Sequence, residues 1–168
     1  MHDIRPYLPE LFTEPGTLLY IGARPDAHAW LDEFIATGHT ITVLEIWPLN
    51  VEGLQQDTRF VTVAGDVRNT DAVLPLAVFD YVIWWHGPEH VWESEIEPTL
   101  RRLARIADKL LAVASPYGIY EQGEHAGNTY ETHVTAIYPS MLEWIGFETA
   151  TDGEANKQGG EVVGWIRK

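Results

Sequence analysis

Short apolar runs alternate with amphipathic stretches along most of the chain, and this alternation constrains the fold more than any other feature. Runs that are almost wholly apolar predict five buried strands, at residues 17–23, 40–46, 59–66, 79–85 and 109–116. Helical patterns lie between or after them, at residues 26–38, 50–56, 71–76, 91–108 and 138–146. Because strands that are apolar throughout are buried on both faces, the pattern predicts a parallel sheet covered by helices.

The fold class is therefore α/β: a doubly wound, mostly parallel seven-stranded sheet in which the last two strands, at residues 147–151 and 161–168, form a C-terminal antiparallel hairpin. Pro98 interrupts the helical pattern of residues 91–108, so we expect a short first turn before it and the main helix after it. At 168 residues the chain predicts a single domain, residues 1–168, with a short N-terminal cap over residues 1–16.

Charge and composition narrow the partners. The net charge is −14, with 11 basic against 25 acidic residues, so nucleic acid is not expected as a partner. There are no cysteines, which excludes disulfides and a cysteine nucleophile. No apolar run approaches the ~20 residues that span a bilayer, and the N-terminus has no signal-peptide core, so we expect a cytoplasmic protein that does not enter membranes.

Parallel sheets of this kind bind ligands at the carboxyl ends of their strands. Gly22 follows the first strand and permits a tight turn with backbone close to a ligand. Glu45 ends the second strand, 23 residues later, near the ~20-residue spacing at which a carboxylate reaches ribose hydroxyls. Ile46 and Trp47 are candidate walls for an adenine ring.

The third strand ends in Asp66 and Val67. Asp66 is suited to accept a hydrogen bond from an exocyclic amine, and the backbone N–H of Val67 is suited to donate to a ring nitrogen. The alternative for Asp66 is a helix N-cap or an Asx turn, which aspartate forms readily.

Taken in order, the segments "LLYIGA", "TVLEIW", "VAGDV", "FDYVIWWHGPEHV", "LLAVASPYG" and "YETHV" resemble a class I S-adenosylmethionine-dependent methyltransferase, with a degenerate glycine loop. The resemblance runs from about residue 17 to the C-terminus and implies a Rossmann-like methyltransferase fold with S-adenosylmethionine as cofactor. It implies that the loop of Gly22, Ala23 and Arg24 holds the methionine part and that Glu45 holds the ribose, with Ile46 beside it against the adenine. Asp66 and Val67 would read the adenine, and Trp85 and His86 would face the methionine moiety and the substrate. Glu89 resembles the acid of an "EH" pair that often follows.

Two positions of the glycine loop depart from the family pattern, because Arg24 and Asp26 stand where glycines are usual. Arg24 is suited to pair with the carboxylate of the cofactor through its guanidinium. If it obstructs the pocket instead, the protein is a non-catalytic relative that keeps the fold for binding or scaffolding.

The polar, glycine-containing segment at residues 115–135 is the predicted substrate loop or lid. Tyr117 and Glu131 are its candidate substrate contacts, together with Glu89 outside it. His133 and His86 are the candidate catalytic bases. The acceptor is left open between a small molecule and a protein side chain.

The five letters from His86 to His90, H-x-x-E-H, also match a zinc-hydrolase signature, which needs both histidines one turn apart on a helix. Gly87 and Pro88 separate them directly after a predicted strand, so His86 should lie outside any helix that carries His90. The sequence therefore predicts no metal site, and a zinc hydrolase that uses His86, Glu89 and His90 remains the lesser alternative.

Overall fold

The computed structural model describes residues 3–26 and 29–168. Seven strands form one sheet in the order β3-β2-β1-β4-β5-β7-β6. The strands are β1 (Thr17–Ile21), β2 (Thr40–Glu45), β3 (Val61–Ala64), β4 (Phe79–Trp85), β5 (Ala107–Pro116), β6 (Glu148–Asp152) and β7 (Glu161–Arg167). The first five are parallel, and β7 runs antiparallel to both β5 and β6. The predicted doubly wound sheet with a C-terminal antiparallel hairpin is confirmed.

The described residues form six α-helices: α1 (Glu10–Thr13), α2 (Ala29–Thr37), α3 (Pro48–Leu54), α4 (Thr70–Val73), α5 (Glu93–Ile106) and α6 (Pro139–Ile145). The short helix α1 precedes β1 and was not predicted. The positions of α2 to α6 follow the predicted pattern to within a few residues; the predicted start of α2 includes residues 27 and 28, which lie outside the described part of the chain. The turns that follow β2, β3 and β4 at the carboxyl edge of the sheet are short, so side chains at those strand ends are held close to the framework, whereas the segment between β5 and α6 is long.

The expected break at Pro98 is wrong, because α5 continues through this proline from Glu93 to Ile106. Pro98 is the sixth residue of the helix, so its missing N–H costs one bond, to the carbonyl of Ser94 near the helix start. Ile96, Leu100 and Leu103 lie on one helix face and are almost fully buried against the sheet. Burial of that face keeps the helix continuous.

The sheet separates two apolar clusters. On one face, α1 and α2 cover alternate residues of the central strands, with Phe34 packed near Leu18 and Tyr81. On the other, α5 and α6 cover the intervening residues, including Leu19 and Val82. Within residues 3–26 and 29–168, no helix has the length and apolar character that crossing a membrane requires. Since both faces are covered, the carboxyl edge of the sheet is the place left for a ligand.

Candidate functional site

A cleft of about 530 Å³ lies at the carboxyl edge of the parallel strands. Three backbone N–H groups extend the strand ladder to its rim: Gly22 donates to Leu44, Gly65 to Glu45 and His86 to Ala114. Twelve of the fourteen residues predicted to form the site line this cleft: Gly22, Ala23, Arg24, Glu45, Ile46, Asp66, Val67, Trp85, His86, Glu89, Glu131 and His133.

The turn after β1 brings backbone to the cleft wall. Gly22 has a φ of +76°, a left-handed conformation that glycine adopts without a side-chain clash. Among the described residues, no atom lies within 4 Å of the position that a Cβ on Gly22 would take, so the space beside this backbone is open. Ala23, the next residue, turns its N–H towards β2.

Glu45 is the acid at the end of β2, and it is only 5% exposed. Its Oε2 accepts from the N–H of Ala23 at 3.0 Å and its Oε1 from the N–H of Trp47 at 2.7 Å. The carboxylate thus ties the Gly22 turn to the second strand. Burial raises the pKa of Glu45 above its usual value, although these backbone N–H groups oppose the shift. A buried carboxylate with lone pairs to spare and an open cleft beside it is suited to hold a ligand hydroxyl.

Asp66 occupies the alternative role that the sequence left open for it. Its Oδ1 accepts from the N–H of Arg68 at 2.8 Å and caps the short helical turn Val67–Asn69. The guanidinium of Arg68 also binds both carboxylate oxygens and reaches Glu95. Burial alone would raise the pKa of Asp66, but the bonds from Arg68 hold it below the usual value. Asp66 still lines the cleft, as an anion already paired with a cation.

Arg24 is turned sideways across the first-strand loop. Its guanidinium binds the carboxylate of Asp26, with Nη2 to Oδ2 at 3.0 Å, and its side chain is 41% exposed. The space next to Gly22 therefore remains clear, and a cation stands at the rim of the cleft.

His86 ends β4 in a left-handed conformation, with a φ of +47°, which is uncommon for a residue with a side chain. Its Nε2 lies 3.0 Å from Oε1 of Glu161 and its Nδ1 lies 3.5 Å from Oε1 of Glu89. Burial alone would lower the pKa of His86, but the two neighbouring carboxylates raise it to about 9. Both ring nitrogens thus face acceptors. The next residue, Gly87, has no room for a side chain, because a Cβ there would lie 1.8 Å from the indole nitrogen of Trp84.

Glu89 lies at the centre of the polar part of the cleft and is 2% exposed. Its Oε2 accepts from the hydroxyl of Ser115 at 2.9 Å. Among the described residues, none donates a hydrogen bond to its Oε1, although three imidazoles surround that atom. Nδ1 of His86 lies 3.5 Å from Oε1 of Glu89, and Nε2 of His90 and of His133 each lie 3.9 Å from the same oxygen.

The arrangement agrees with the sequence argument against the His86–His90 pair. Only His90 belongs to the short helical turn Pro88–His90, and His86 precedes it with a different backbone conformation. The structure brings His90 together with His133, a histidine from the predicted substrate loop, which the sequence did not link to it.

The segment at residues 115–135 covers the cleft, with Tyr120, Gln122, Asn128, Tyr130 and Glu131 along its inner side. The ring of Tyr130 meets Trp47 from across the cleft at 6.2 Å between ring centroids. Trp47 and Tyr117 are the two predicted residues that do not line the cleft. Tyr117 lies beyond the end of β5. Its backbone continues the pairing beyond β5, and its ring packs against Tyr138 instead.

Glu161 is a site residue that the sequence reasoning missed. It is 5% exposed, begins β7 and pairs in register with Pro116 at the end of β5. Because β7 is antiparallel, its first residue lies at the edge where the parallel strands end. The sequence offered a clue to Glu161. It is an acidic residue at the start of the second strand of the predicted hairpin, and the start of an antiparallel strand lies at the carboxyl edge of the parallel strands.

Comparison with known proteins bears on the fold. No protein-family model matches the sequence, and no curated protein matches it. Solved structures do match, among them the N-methyltransferase NodS from Bradyrhizobium japonicum in complex with S-adenosyl-L-homocysteine. That match has a TM-score of 0.70 at 11% identity and covers 97% of this chain and 84% of that one.

Two further structures share the architecture. A 1,6-didemethyltoxoflavin-N1-methyltransferase from Burkholderia thailandensis matches with a TM-score of 0.67 at 17% identity, over 96% of this chain and 74% of that one. A SAM-dependent methyltransferase from Archaeoglobus fulgidus matches with a TM-score of 0.67 at 16% identity, over 97% and 91%. The chain therefore has the fold of the class I S-adenosylmethionine-dependent methyltransferases, as its sequence resemblance implied.

Proposed function

We propose that this protein transfers a methyl group from S-adenosylmethionine to a small-molecule acceptor bound beneath the loop at residues 115–135. The observation that carries the proposal is Glu45, a buried carboxylate at the end of β2 that is fixed to the Gly22 turn and borders an open cleft. Solved structures with this fold include proteins bound to S-adenosylhomocysteine or S-adenosylmethionine, which supports the same cofactor here.

The cofactor fits the residues present. Glu45 is suited to accept hydrogen bonds from two vicinal ribose hydroxyls, since each of its oxygens has further lone pairs. The open backbone at Gly22 admits the methionine end, and Arg24 stands near enough to the rim to bind a carboxylate. The side chains of Ile46 and Val67 provide an apolar wall of the cleft against which the adenine ring can pack. The buried acids Glu45, Glu89 and Glu161 make the cleft acidic, which suits a ligand with a cationic sulfonium.

When bound, S-adenosylmethionine supplies a methyl group activated by its sulfonium, and the acceptor attacks that carbon in line. The protein's part is to hold the acceptor in position and to accept its proton where it has one. His86 was the first candidate base, but both its ring nitrogens face carboxylates. We assign it to ordering Glu89 and Glu161, which leaves His133 as the catalytic candidate.

A small acceptor is favoured over a protein side chain. The cleft volume of about 530 Å³ falls within the ~300–1,000 Å³ typical of small-molecule sites. Aromatic and amide side chains of the loop, from Tyr120 to Tyr130, enclose it on the side opposite the strands.

Calorimetry with S-adenosylhomocysteine tests the proposal directly. We expect one binding site per chain in the wild type. If neither the wild type nor an Arg24→Gly variant binds S-adenosylhomocysteine or S-adenosylmethionine at millimolar concentration, the protein keeps only the fold. The alternative, a non-catalytic binding protein with substitutions at Arg24 and Asp26, would then stand.

A further inference from the structure

Two histidines and a glutamate converge on one point in the cleft, on the side away from the Gly22 turn. Glu89, His90 and His133 each offer one ligand atom within 4.8 Å of the other two, and Nε2 of His90 and of His133 each lie 3.9 Å from Oε1 of Glu89. The three residues are mostly buried, with side-chain exposures of 3%, 17% and 9%. All three also line the cleft, so the point is enclosed by protein on one side and open to a ligand on the other.

The hydrogen bonds of the two imidazoles set which nitrogen carries a lone pair. Nδ1 of His90 faces the carbonyl oxygen of Thr132 at 3.3 Å, and Nδ1 of His133 faces that of Tyr120 at 2.8 Å. Because a carbonyl only accepts, each Nδ1 must carry the proton. In the neutral rings each Nε2 then carries an unprotonated lone pair. Both atoms face Oε1 of Glu89, which as a carboxylate oxygen is also only an acceptor.

Three acceptors that face one another repel unless a cation or a proton donor lies between them. Oε1 of Glu89 is buried and receives no hydrogen bond of normal length from the described residues; Nδ1 of His86 lies 3.5 Å from it, while the neighbouring Oε2 is satisfied by Ser115. A buried carboxylate oxygen with so distant a partner is incompletely satisfied, which is costly. Imidazoles whose second nitrogen donates to a backbone carbonyl are the usual form of metal-ligating histidine, since that bond fixes ring orientation and tautomer.

The backbone holds the three ligands together before any ion binds. The N–H groups of Val134 and Thr135 both donate to the carbonyl of Glu89, at 2.9 and 3.2 Å, and the hydroxyl of Thr135 donates to the carbonyl of Val91 at 2.6 Å. These bonds clamp the end of the loop, with His133, onto the turn that carries Glu89 and His90. Metal bonds of about 2.0–2.2 Å put neighbouring ligand atoms about 3–3.5 Å apart, so the observed 3.9 Å contacts need to close by roughly half an ångström.

We propose that Glu89, His90 and His133 bind a first-row divalent transition metal whose open coordination positions face the acceptor. Two imidazoles and one carboxylate suit Zn²⁺, Mn²⁺ or Fe²⁺ rather than Mg²⁺ or Ca²⁺, which prefer oxygen ligands throughout. The role of the metal rests on the proposed methyl transfer. With Nε2 of His133 bound to the metal, this histidine no longer serves as the base; the metal would instead bind an oxygen of the acceptor, and the proton of a hydroxyl acceptor would pass to solvent. A hydroxylated or carboxylated small molecule is therefore the expected substrate class. The metal site itself does not depend on that activity.

Titration of chelator-treated protein with ZnCl2 and with MnCl2, in the absence of cofactor, tests the site. We expect one equivalent of at least one of these metals to bind with micromolar affinity or better, and MgCl2 to bind at least 100-fold more weakly. Replacing Zn²⁺ with Co²⁺ should give visible absorption bands of a bound metal with nitrogen and oxygen ligands. His90→Ala and His133→Ala should each weaken binding at least 100-fold.

Two control variants separate this site from other sources of binding. His125→Ala removes an exposed histidine of the same loop that does not line the cleft, and it should leave metal affinity unchanged. Glu124→Ala removes an exposed acid of the same loop that does not line the cleft either, and it should also leave metal affinity unchanged. Circular dichroism and S-adenosylhomocysteine calorimetry on each variant show whether the fold and the cofactor site survive.

The proposal is overturned if chelator-treated wild type binds none of the transition metals, or if His90→Ala and His133→Ala bind as well as His125→Ala. The result for the metal is independent of the result for the cofactor. Metal binding without S-adenosylhomocysteine binding would refute the proposed methyl transfer and support the metal site. S-adenosylhomocysteine binding without metal binding would refute the metal site and support the proposed cofactor.

Discussion

Replacing Glu45 with alanine removes the one side chain that links the Gly22 turn, the second strand and the proposed ribose site. Each charge-assisted hydrogen bond to a ribose hydroxyl contributes about 1.5–3 kcal/mol, so one lost bond lowers the affinity for S-adenosylhomocysteine about ten- to 150-fold. The variant also leaves the N–H groups of Ala23 and Trp47 without their acceptor, at about 1–3 kcal/mol each where water does not replace it.

A compensating term limits the loss of stability. Burial raises the pKa of Glu45, which means that the folded protein holds its ionised form at a cost. Removing the carboxylate recovers that cost. We therefore expect the free energy of unfolding to fall by about 1 kcal/mol for each N–H group left without its acceptor, the lower end of the 1–3 kcal/mol range. Ligand affinity and stability should therefore respond unequally.

Calorimetry with S-adenosylhomocysteine measures the affinity, and urea denaturation followed by circular dichroism measures the stability. Glu52→Ala is the matched control, because this glutamate lies on α3, is exposed and does not line the cleft. Unchanged affinity in a folded Glu45→Ala protein would refute the assignment of the ribose site. An equal loss in Glu52→Ala would show that net charge, rather than a contact, sets the affinity.

The remaining predictions concern the rim of the cleft, the strand-end turn and acid stability. Arg24→Gly should weaken S-adenosylhomocysteine binding by up to about five-fold in calorimetry, because an exposed ion pair contributes roughly 0.2–1 kcal/mol. Tighter binding would show that Arg24 obstructs the pocket. Gly87→Ala should lower the free energy of unfolding by about 1–3 kcal/mol in urea denaturation, since its Cβ would overlap an indole ring. Gly123→Ala, whose Cβ meets no atom of the described residues within 4 Å, should change it little. Arg68→Ala should destabilise the protein at pH 7, because Arg68 lowers the folded-state pKa of Asp66 and so stabilises its ionised carboxylate. The difference in stability from wild type should shrink as the pH falls below about 4, where Asp66 becomes protonated and the ion pair is lost. A difference that does not change with pH in denaturation curves would contradict this.

Much of the framework was predictable because the strands carry a strong local signal. β4 matches its predicted range of residues 79–85, since an apolar, aromatic run bounded by turn residues has few other ways to be buried. The same logic put Glu45 and His86 at the ligand edge, because topology alone decides where a parallel strand ends.

The errors arise where tertiary contacts override local patterns. Pro98 reads as a helix break, but burial of the α5 face outweighs one lost hydrogen bond. Tyr117 reads as a substrate contact, but the extended pairing after β5 turns its ring to Tyr138. The contact between His90 and His133 joins segments 43 residues apart, and only the backbone bonds to Glu89 reveal it.

The antiparallel insertion of β7 has a consequence for the order in which the chain is made. All five parallel strands leave the ribosome before residue 161 is added, yet β5 remains an open edge until β7 pairs with it. An unpaired apolar edge is a template for association with other chains. The same late strand delivers Glu161 to His86. Until β7 emerges and pairs, a nascent chain therefore has both an open sheet edge and an incomplete ligand cleft.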